Sequence, residues 1–252
     1  MKTSLLAGLV IVLITFQCCK KKETVSDEKP LVKLITRVVF AVGNRAVFKY
    51  YTYDEKNRLK TIKDGSTTTT YTYNSDNLSS IEIINSVSGP MSKIEFTYNS
   101  GKITQAVDKQ ASQTKIYGYI YAGNDLSEIH VNENGIVVQK LKYTIVNHNI
   151  TKIVDVLPDG IFTTEYTYGS HKNIFYDTRL SQIIGIEGID RYSLSELLES
   201  KRTTPDGSFI KEINSYAFDE AGLPLTSSNT VVQSPDIIIF EGKYTYEYDL
   251  GK

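Results

Sequence analysis

Hydrophobic and polar positions alternate along most of this chain with a period of two, and the alternation returns in units. In Lys93 to Tyr98, Ile94, Phe96 and Tyr98 share one face while Lys93, Glu95 and Thr97 share the other. Phe162, Thr164, Tyr166 and Tyr168 oppose Thr163, Glu165 and Thr167 in the same way, and Phe240, Gly242, Tyr244, Tyr246 and Tyr248 oppose Glu241, Lys243, Thr245 and Glu247. Successive side chains of a strand point to opposite faces. One apolar and one polar face therefore predicts antiparallel strands with one side in water.

Aromatic pairs mark the beat: Tyr51/Tyr53, Tyr71/Tyr73, Phe96/Tyr98, Tyr119/Tyr121, Tyr143/Ile145, Tyr166/Tyr168, Tyr216/Phe218 and Tyr244/Tyr246. Self-similarity at a fixed interval of twenty-odd residues signals a repeat architecture. After the pair comes a polar turn, then two apolar residues three apart, as in Leu59 and Ile62, Leu78 and Ile81, Leu126 and Ile129, Ile150 and Ile153. An offset of three places two residues on opposite faces of a regular strand, so the first is expected to fill the turn and the second to begin the strand. Asp64-Gly65, Asn134-Gly135, Asp159-Gly160 and Asp206-Gly207 then turn the chain as tight hairpins. Two strands per unit predict an all-β antiparallel meander of roughly 14 to 16 strands. It would be a closed or nearly closed barrel, or a flattened sandwich, since a regular barrel of that size encloses more space than side chains fill.

The beat fails over 169–209. There Ser193-Leu194-Ser195-Glu196 has the spacing of a capping box, and Leu194, Leu197 and Leu198 follow it, which predicts one short amphipathic helix. Ahead of it, Ile183, Ile184, Ile186 and Ile189 interleave with Gly185 and Gly188. Such an insert in a regular scaffold is expected to plug or cover an open barrel end, or to serve as a binding loop.

The N-terminus adds an address. Met1-Lys2 precedes the apolar run Leu5 to Phe16, which has the length of a signal-peptide core rather than of a membrane span. The run ends at Cys18 and Cys19, the only two cysteines of the 252 residues, so the remainder carries no disulfide or thiol chemistry. An apolar run ending in cysteine resembles the lipobox of bacterial lipoproteins, with Cys19 as the acylated residue and Cys18 as the alternative. The expected division is a signal over 1–18, a charged tether over 19–30 and one β-repeat domain over 31–252. The location that follows is the cell envelope, anchored to the outer membrane by lipid on its periplasmic or cell-surface side.

Two resemblances follow from these residues. YDEKNRLKTIKDGSTTTTYTY and YAFDEAGLPLTSSNT are similar to the YD repeats of the Rhs family, whose hairpins form a shell. The whole layout of signal with Cys, charged tether, aromatic-pair repeats, late insert and final Tyr-rich strand resembles a family of Gram-negative lipoproteins of unknown function described as porin-like in fold. That resemblance implies no catalytic residues.

Composition narrows the chemistry. A net charge of −1 is unsuited to neutralising phosphates, so no nucleic-acid partner is expected. His130, His148 and His171 have no metal-ligand spacing, and no Gly-x-Ser-x-Gly elbow occurs, so neither a metal site, a cofactor nor an enzyme is expected. Asp54, Asp76, Asp125, Asp159 and Asp206 fall at turns, where Asp caps its own backbone. The 18 tyrosines are the one feature with functional colour. They are expected to form the core, and Tyr117, Tyr119, Tyr121 and Tyr143 with Tyr244, Tyr246 and Tyr248 are the candidates to line any ligand pocket. The expected function is a non-enzymatic binding or structural module with a glycan, lipid or envelope-protein partner; the alternative is a glycan or lipid carrier with an aromatic-lined interior, and the least favoured is a hydrolase.

Overall fold

The computed structural model of the chain describes residues 33–173 and 193–250. The signal, both cysteines and the tether lie outside the described residues, as do residues 174–192 of the irregular insert. The first eight strands are β1 (Lys33–Val42), β2 (Arg45–Tyr53), β3 (Leu59–Asp64), β4 (Thr67–Asn74), β5 (Asn77–Asn85), β6 (Gly89–Asn99), β7 (Lys102–Gln110) and β8 (Thr114–Ala122). The next eight are β9 (Asp125–Glu133), β10 (Ile136–Val146), β11 (Asn149–Leu157), β12 (Gly160–Lys172), β13 (Ser195–Thr203), β14 (Phe209–Phe218), β15 (Pro224–Gln233) and β16 (Ile237–Leu250). Each pairs antiparallel with its successor, and β16 returns to pair with β1, so the sheet is a closed barrel. The predicted all-β meander thus closes fully, at the upper end of the expected strand number.

The apolar face of every unit points inward. Tyr51, Ile62, Tyr71, Ile81, Ile94, Tyr119 and Ile129 belong to one buried cluster contributed by strands around the ring. The offset of three has a different origin from the one expected. In β2–β3 the register runs from Thr52 opposite Thr61 to Tyr53 opposite Leu59, which leaves Lys60 as an unpaired bulge. One extra residue reverses the phase of the alternation. Leu59 and Ile62 therefore share the inner face, 1% and 6% exposed.

The same bulge recurs at Ser79, Thr104, Ser127 and Thr151. At each of these the freed side chain donates its hydroxyl proton to a carbonyl beside the bulge: Ser79 to Thr72 at 2.9 Å, Ser127 to Ile120 at 3.0 Å, and Thr104 to Thr97 and Thr151 to Thr144 at 3.3 Å. The closing pair repeats the device, with Thr36 bulged and its hydroxyl 3.4 Å from the Glu247 carbonyl. There Tyr246 lies opposite Val38 and Tyr248 opposite Ile35, so the last aromatic pair of the beat is Tyr246/Tyr248 rather than Tyr244/Tyr246. The final unit takes its first half from the C-terminal strand and its second from the N-terminal one.

Tyrosine rather than phenylalanine at the second position has a reason. The Tyr73 hydroxyl donates to the Leu59 carbonyl at 2.9 Å, Tyr98 to Leu78 at 2.8 Å, Tyr168 to Ile150 at 2.7 Å and Tyr248 to Pro224 at 2.8 Å. Each reaches back one unit and satisfies a carbonyl at the bulge. Turn aspartates do the work expected of them: Asp54 accepts from the backbone N–H groups of Lys56 and Arg58, and Asp219 from those of Ala221 and Leu223, all at 2.9 Å.

The predicted helix is a strand. Ser193 does not cap its own backbone; its hydroxyl donates to the Tyr168 phenol at 2.7 Å and accepts from the Ile150 N–H at 3.3 Å. Asn149 holds the Ser195 N–H at 2.9 Å, and β13 continues with Leu197 opposite Tyr168 and Leu198 left out as a bulge. Leucines three and four apart thus come from a bulged strand. Correspondingly, β12 runs on to Lys172 and β14 begins at Phe209, so the irregular stretch is shorter than 169–209. The expected plug or lid lies within 174–192, outside the described residues.

Gly242 marks a tight approach on the inner wall. A Cβ there would lie 2.5 Å from Phe40 Cε2 and 3.0 Å from Phe240 Cζ, and Phe40 is itself stacked on Tyr244 with ring centroids 4.5 Å apart. Gly242→Ala is expected to destabilise the barrel by about 1–3 kcal/mol in urea melts. Adding Phe40→Leu should recover part of that loss; no recovery would show that the clash is not the cause. Ile81, fully buried, should lose about 2–5 kcal/mol as Ile81→Ala.

Candidate functional site

The two ends of the barrel differ. Turns that follow the tyrosine pairs, such as Asp54–Arg58, gather at one end, together with Lys33 and Leu250. The bulge carbonyls and tyrosine hydroxyls fill the lumen there, and Leu59, Leu78, Ile103 and Ile150 are all but inaccessible to water. Arg58 ties this end together: it binds Asp54 at 2.6 Å, lies 4.2 Å over the Tyr73 ring and donates to the Ser75 carbonyl. These bonds hold the Asp54 carboxyl below its ordinary value against the opposing effect of its partial burial.

Towards the opposite end the inward positions change character. Counting in twos from buried Tyr51 brings Lys49 onto the inner wall, and its amine meets Asp64 of β3 at 3.2 Å. Further round, Asp108 accepts from Ser92 and, at 2.8 Å, from Gln110. Lys115 of β8 binds Glu133 of β9 at 2.9 Å, and that carboxylate holds the ammonium above the ordinary lysine value. Asp155 accepts from Gln139 at 2.8 Å and faces the Arg202 guanidinium at 3.6 Å. Asn229 bridges Glu212 and Asn214, with the latter bond at 2.8 Å.

These side chains form a polar ring inside the barrel. Water reaches it: the Arg202 side chain is 50% exposed although it points inward, beside Thr164 and two residues on from the Tyr166–Ser200 pair. Inner-wall charges that stay this accessible require a solvent-filled mouth. Among them Lys49, Lys115 and Arg202 face a surplus of carboxylates from Asp64, Asp108, Glu133, Asp155 and Glu212. Anionic ligands are thereby disfavoured, and neutral hydroxyl-bearing ones meet both donors and acceptors.

Below the ring lies the aromatic layer. All seven candidate tyrosines are on the lumen face. Burial, with Tyr143, Tyr121, Tyr117 and Tyr98 close by, raises the Tyr119 phenol far above its ordinary value; Tyr143 is raised in the same way, with Tyr166 as its neighbour. Tyr244, Tyr246 and Tyr248 stand on β16, half the ring away from β8. Tyr246 shares a hydrogen bond with Ser227 at 2.9 Å, and the Tyr248 hydroxyl is committed to Pro224. The two tyrosine groups thus lie on opposite sides of one lumen. The polar ring above them was missed from the sequence, although counting in twos from a buried tyrosine would have found it.

No protein-family model matches the chain, and no curated protein does. Solved structures do. A porin-like protein from Bacteroides uniformis superposes with a TM-score of 0.60 at 13% identity, covering 85% of this chain and 96% of that one. Another porin-like protein, from Bacteroides vulgatus, gives a TM-score of 0.57 at 15% identity, over 86% and 99% of the two chains. The likeness is one of fold.

The lumen phenols make the barrel sensitive to alkali. Burial pushes Tyr98 and Tyr166 up to about 12 from an ordinary 10.0. Below pH 10 both folded and unfolded chains keep these protons, and the stabilisation is whole. Between pH 10 and 12 the unfolded chain releases protons that the barrel retains, so stability falls as pH rises. Absorbance at 295 nm should show the lumen tyrosines ionising at higher pH than the exposed ones, with Tyr98 and Tyr166 near pH 12, or together with unfolding. Ionisation of all tyrosines near pH 10 with the barrel intact would contradict a buried aromatic layer.

Proposed function

We propose that this protein is a non-enzymatic binding module of the bacterial cell envelope, lipid-anchored through Cys19, whose open mouth takes up an uncharged glycan. The observation that carries the reading is the water-accessible polar ring set above an aromatic layer. Amides and carboxylates exchange hydrogen bonds with sugar hydroxyls, and tyrosine rings offer apolar faces to the C–H side of a pyranose. The non-enzymatic reading is supported by the state of the ring carboxylates. Each is engaged by a cation, an amide or a hydroxyl on a neighbouring position, which leaves none poised as a general base. The alternative of a lipid ligand fits less well, because it would have to pass the charged and amide side chains of the inner ring.

The fold likeness to porin-like proteins of Bacteroides supports an envelope setting, and the outer membrane is the membrane to which we assign the anchor. Acylation at Cys19 predicts that labelled fatty acid is incorporated by the full chain and by Cys18→Ser, but not by Cys19→Ser. The reverse pattern would move the anchor to Cys18, and absence of label from all three would remove it.

Native mass spectrometry of the full chain, purified from a Gram-negative host, tests the ligand. An adduct whose mass fits a series of sugar residues is expected, and Asn229→Ala with Arg202→Ala should weaken oligosaccharide binding about tenfold or more, the equivalent of one or two lost hydrogen bonds. A clean apo mass together with a flat calorimetric titration against neutral oligosaccharides would overturn the reading.

A further inference from the structure

The exposed apolar side chains are unevenly distributed. Ile120, Val146 and Leu225 lie towards the tyrosine end and Tyr50 and Ile213 midway, while the others gather at or near the open rim. On the outward face of that rim stand Phe48 of β2, Ile84 of β5, Val137 of β10, Ile161 of β12 and Ile238 of β16, each between 38% and 57% exposed, with Val87 at a turn tip 87% exposed. These strands are spread around the whole ring. Beside Phe48 the collar deepens into a cleft of ≈ 560 Å³ floored by Ala46, Phe48 and Tyr50.

The middle of the outer wall is unlike the collar. It carries Glu95 between Lys93 and Lys109, and Lys152 paired with Glu165. Such a wall does not sit in hydrocarbon, so the barrel is not embedded along its height. Immediately behind the collar come Lys63, Lys140, Lys201 and Lys211, and the Lys201 amine lies 4.6 Å over the Phe209 ring at the rim. Glu82, Glu241 and Glu165, the last opposite Lys201, are the acids beside these lysines, and Glu199 lies 4.0 Å from the Lys211 amine.

We propose that the open rim docks shallowly on an anionic lipid surface. A partner protein covers an apolar patch from one side, but outward-facing residues on opposite arcs of a ring are covered together only by a phase that surrounds the ring. Apolar and aromatic side chains at the acyl boundary, with lysine amines one step behind at the headgroups, are the arrangement of proteins that lie in a bilayer interface. The rim is at the end away from Lys33, so this contact is separate from attachment through the N-terminus.

The chain contains no tryptophan, which makes a single introduced indole a clean reporter of depth. The full chain carrying Ile238→Trp, and a second carrying Lys56→Trp at a tyrosine-end turn, are mixed with phosphatidylcholine–phosphatidylglycerol vesicles that have brominated acyl chains. The rim indole is expected to be quenched at least twofold and blue-shifted, and the Lys56 position to be unaffected. Phe48→Glu with Ile161→Glu should abolish rim quenching while the far-UV signature of the barrel is kept. Equal quenching at both ends, no quenching at the rim, or a blue shift that depends on protein concentration without lipid would overturn the proposal. The last of these would assign the collar to a second copy of the chain.

Discussion

Closure is the condition on which this structure rests. A sixteen-strand sheet left open would present two rows of unpaired backbone groups, and among the described strands it is β16 that pairs with the edge of β1 not taken by β2. The register of that meeting is set by the repeat itself. Thr36 bulges as Ser79 and Ser127 do, so Ile35 and Val38 enter the lumen in the phase that Leu59 and Ile62 use elsewhere. A slip of one residue would turn the inner face of β1 to water. The two chain ends thus carry complementary halves of one unit, and the barrel closes with the same contact that builds it.

The circle creates a space that must be filled or wetted, and the chain does both. At the tyrosine end the lumen is dense, and hydroxyls reach back to the carbonyls that the bulges expose. Satisfied polar atoms and buried rings coexist there because each tyrosine brings both an apolar body and one donor. Towards the other end the same inward positions become charged and amide side chains, paired across adjacent strands. One alternation of the backbone therefore supports two interiors, a sealed one and a wet one, and the gradient between them gives the molecule its mouth.

Much of this was legible from the chain. The aromatic beat predicts the strand number within its range, and Asp54 and Asp206 cap their turns as expected, while the same role at Asp219 was not foreseen. Two misreadings have one cause. A bulge converts a spacing of two into a spacing of three, and three is also a helical spacing. Leu59 with Ile62 was split between turn and strand, and Leu194, Leu197 and Leu198 were assigned to a helix, for the same reason. Elsewhere a Ser or Thr after the first apolar residue, seven positions after the carbonyl it binds, marks the bulge, as in Thr72 and Ser79; at the two misread bulges Lys60 and Leu198 stand in its place. The polar ring was illegible for another reason: its members are identified by parity from a buried neighbour, and hydropathy alone assigns them to the surface.

The order in which the strands meet matters for how such a chain reaches its place. Every hairpin from β1 to β16 can form from neighbours as the polypeptide emerges, but the outer edge of β1 finds its partner only when residues 243 to 250 arrive. Until β16 forms, the growing sheet carries one long unpaired edge along β1, and a chain cut short before β16 keeps it. Pairing with β16 is what hides that edge, and a sheet lacking β16 remains open to pairing with other chains.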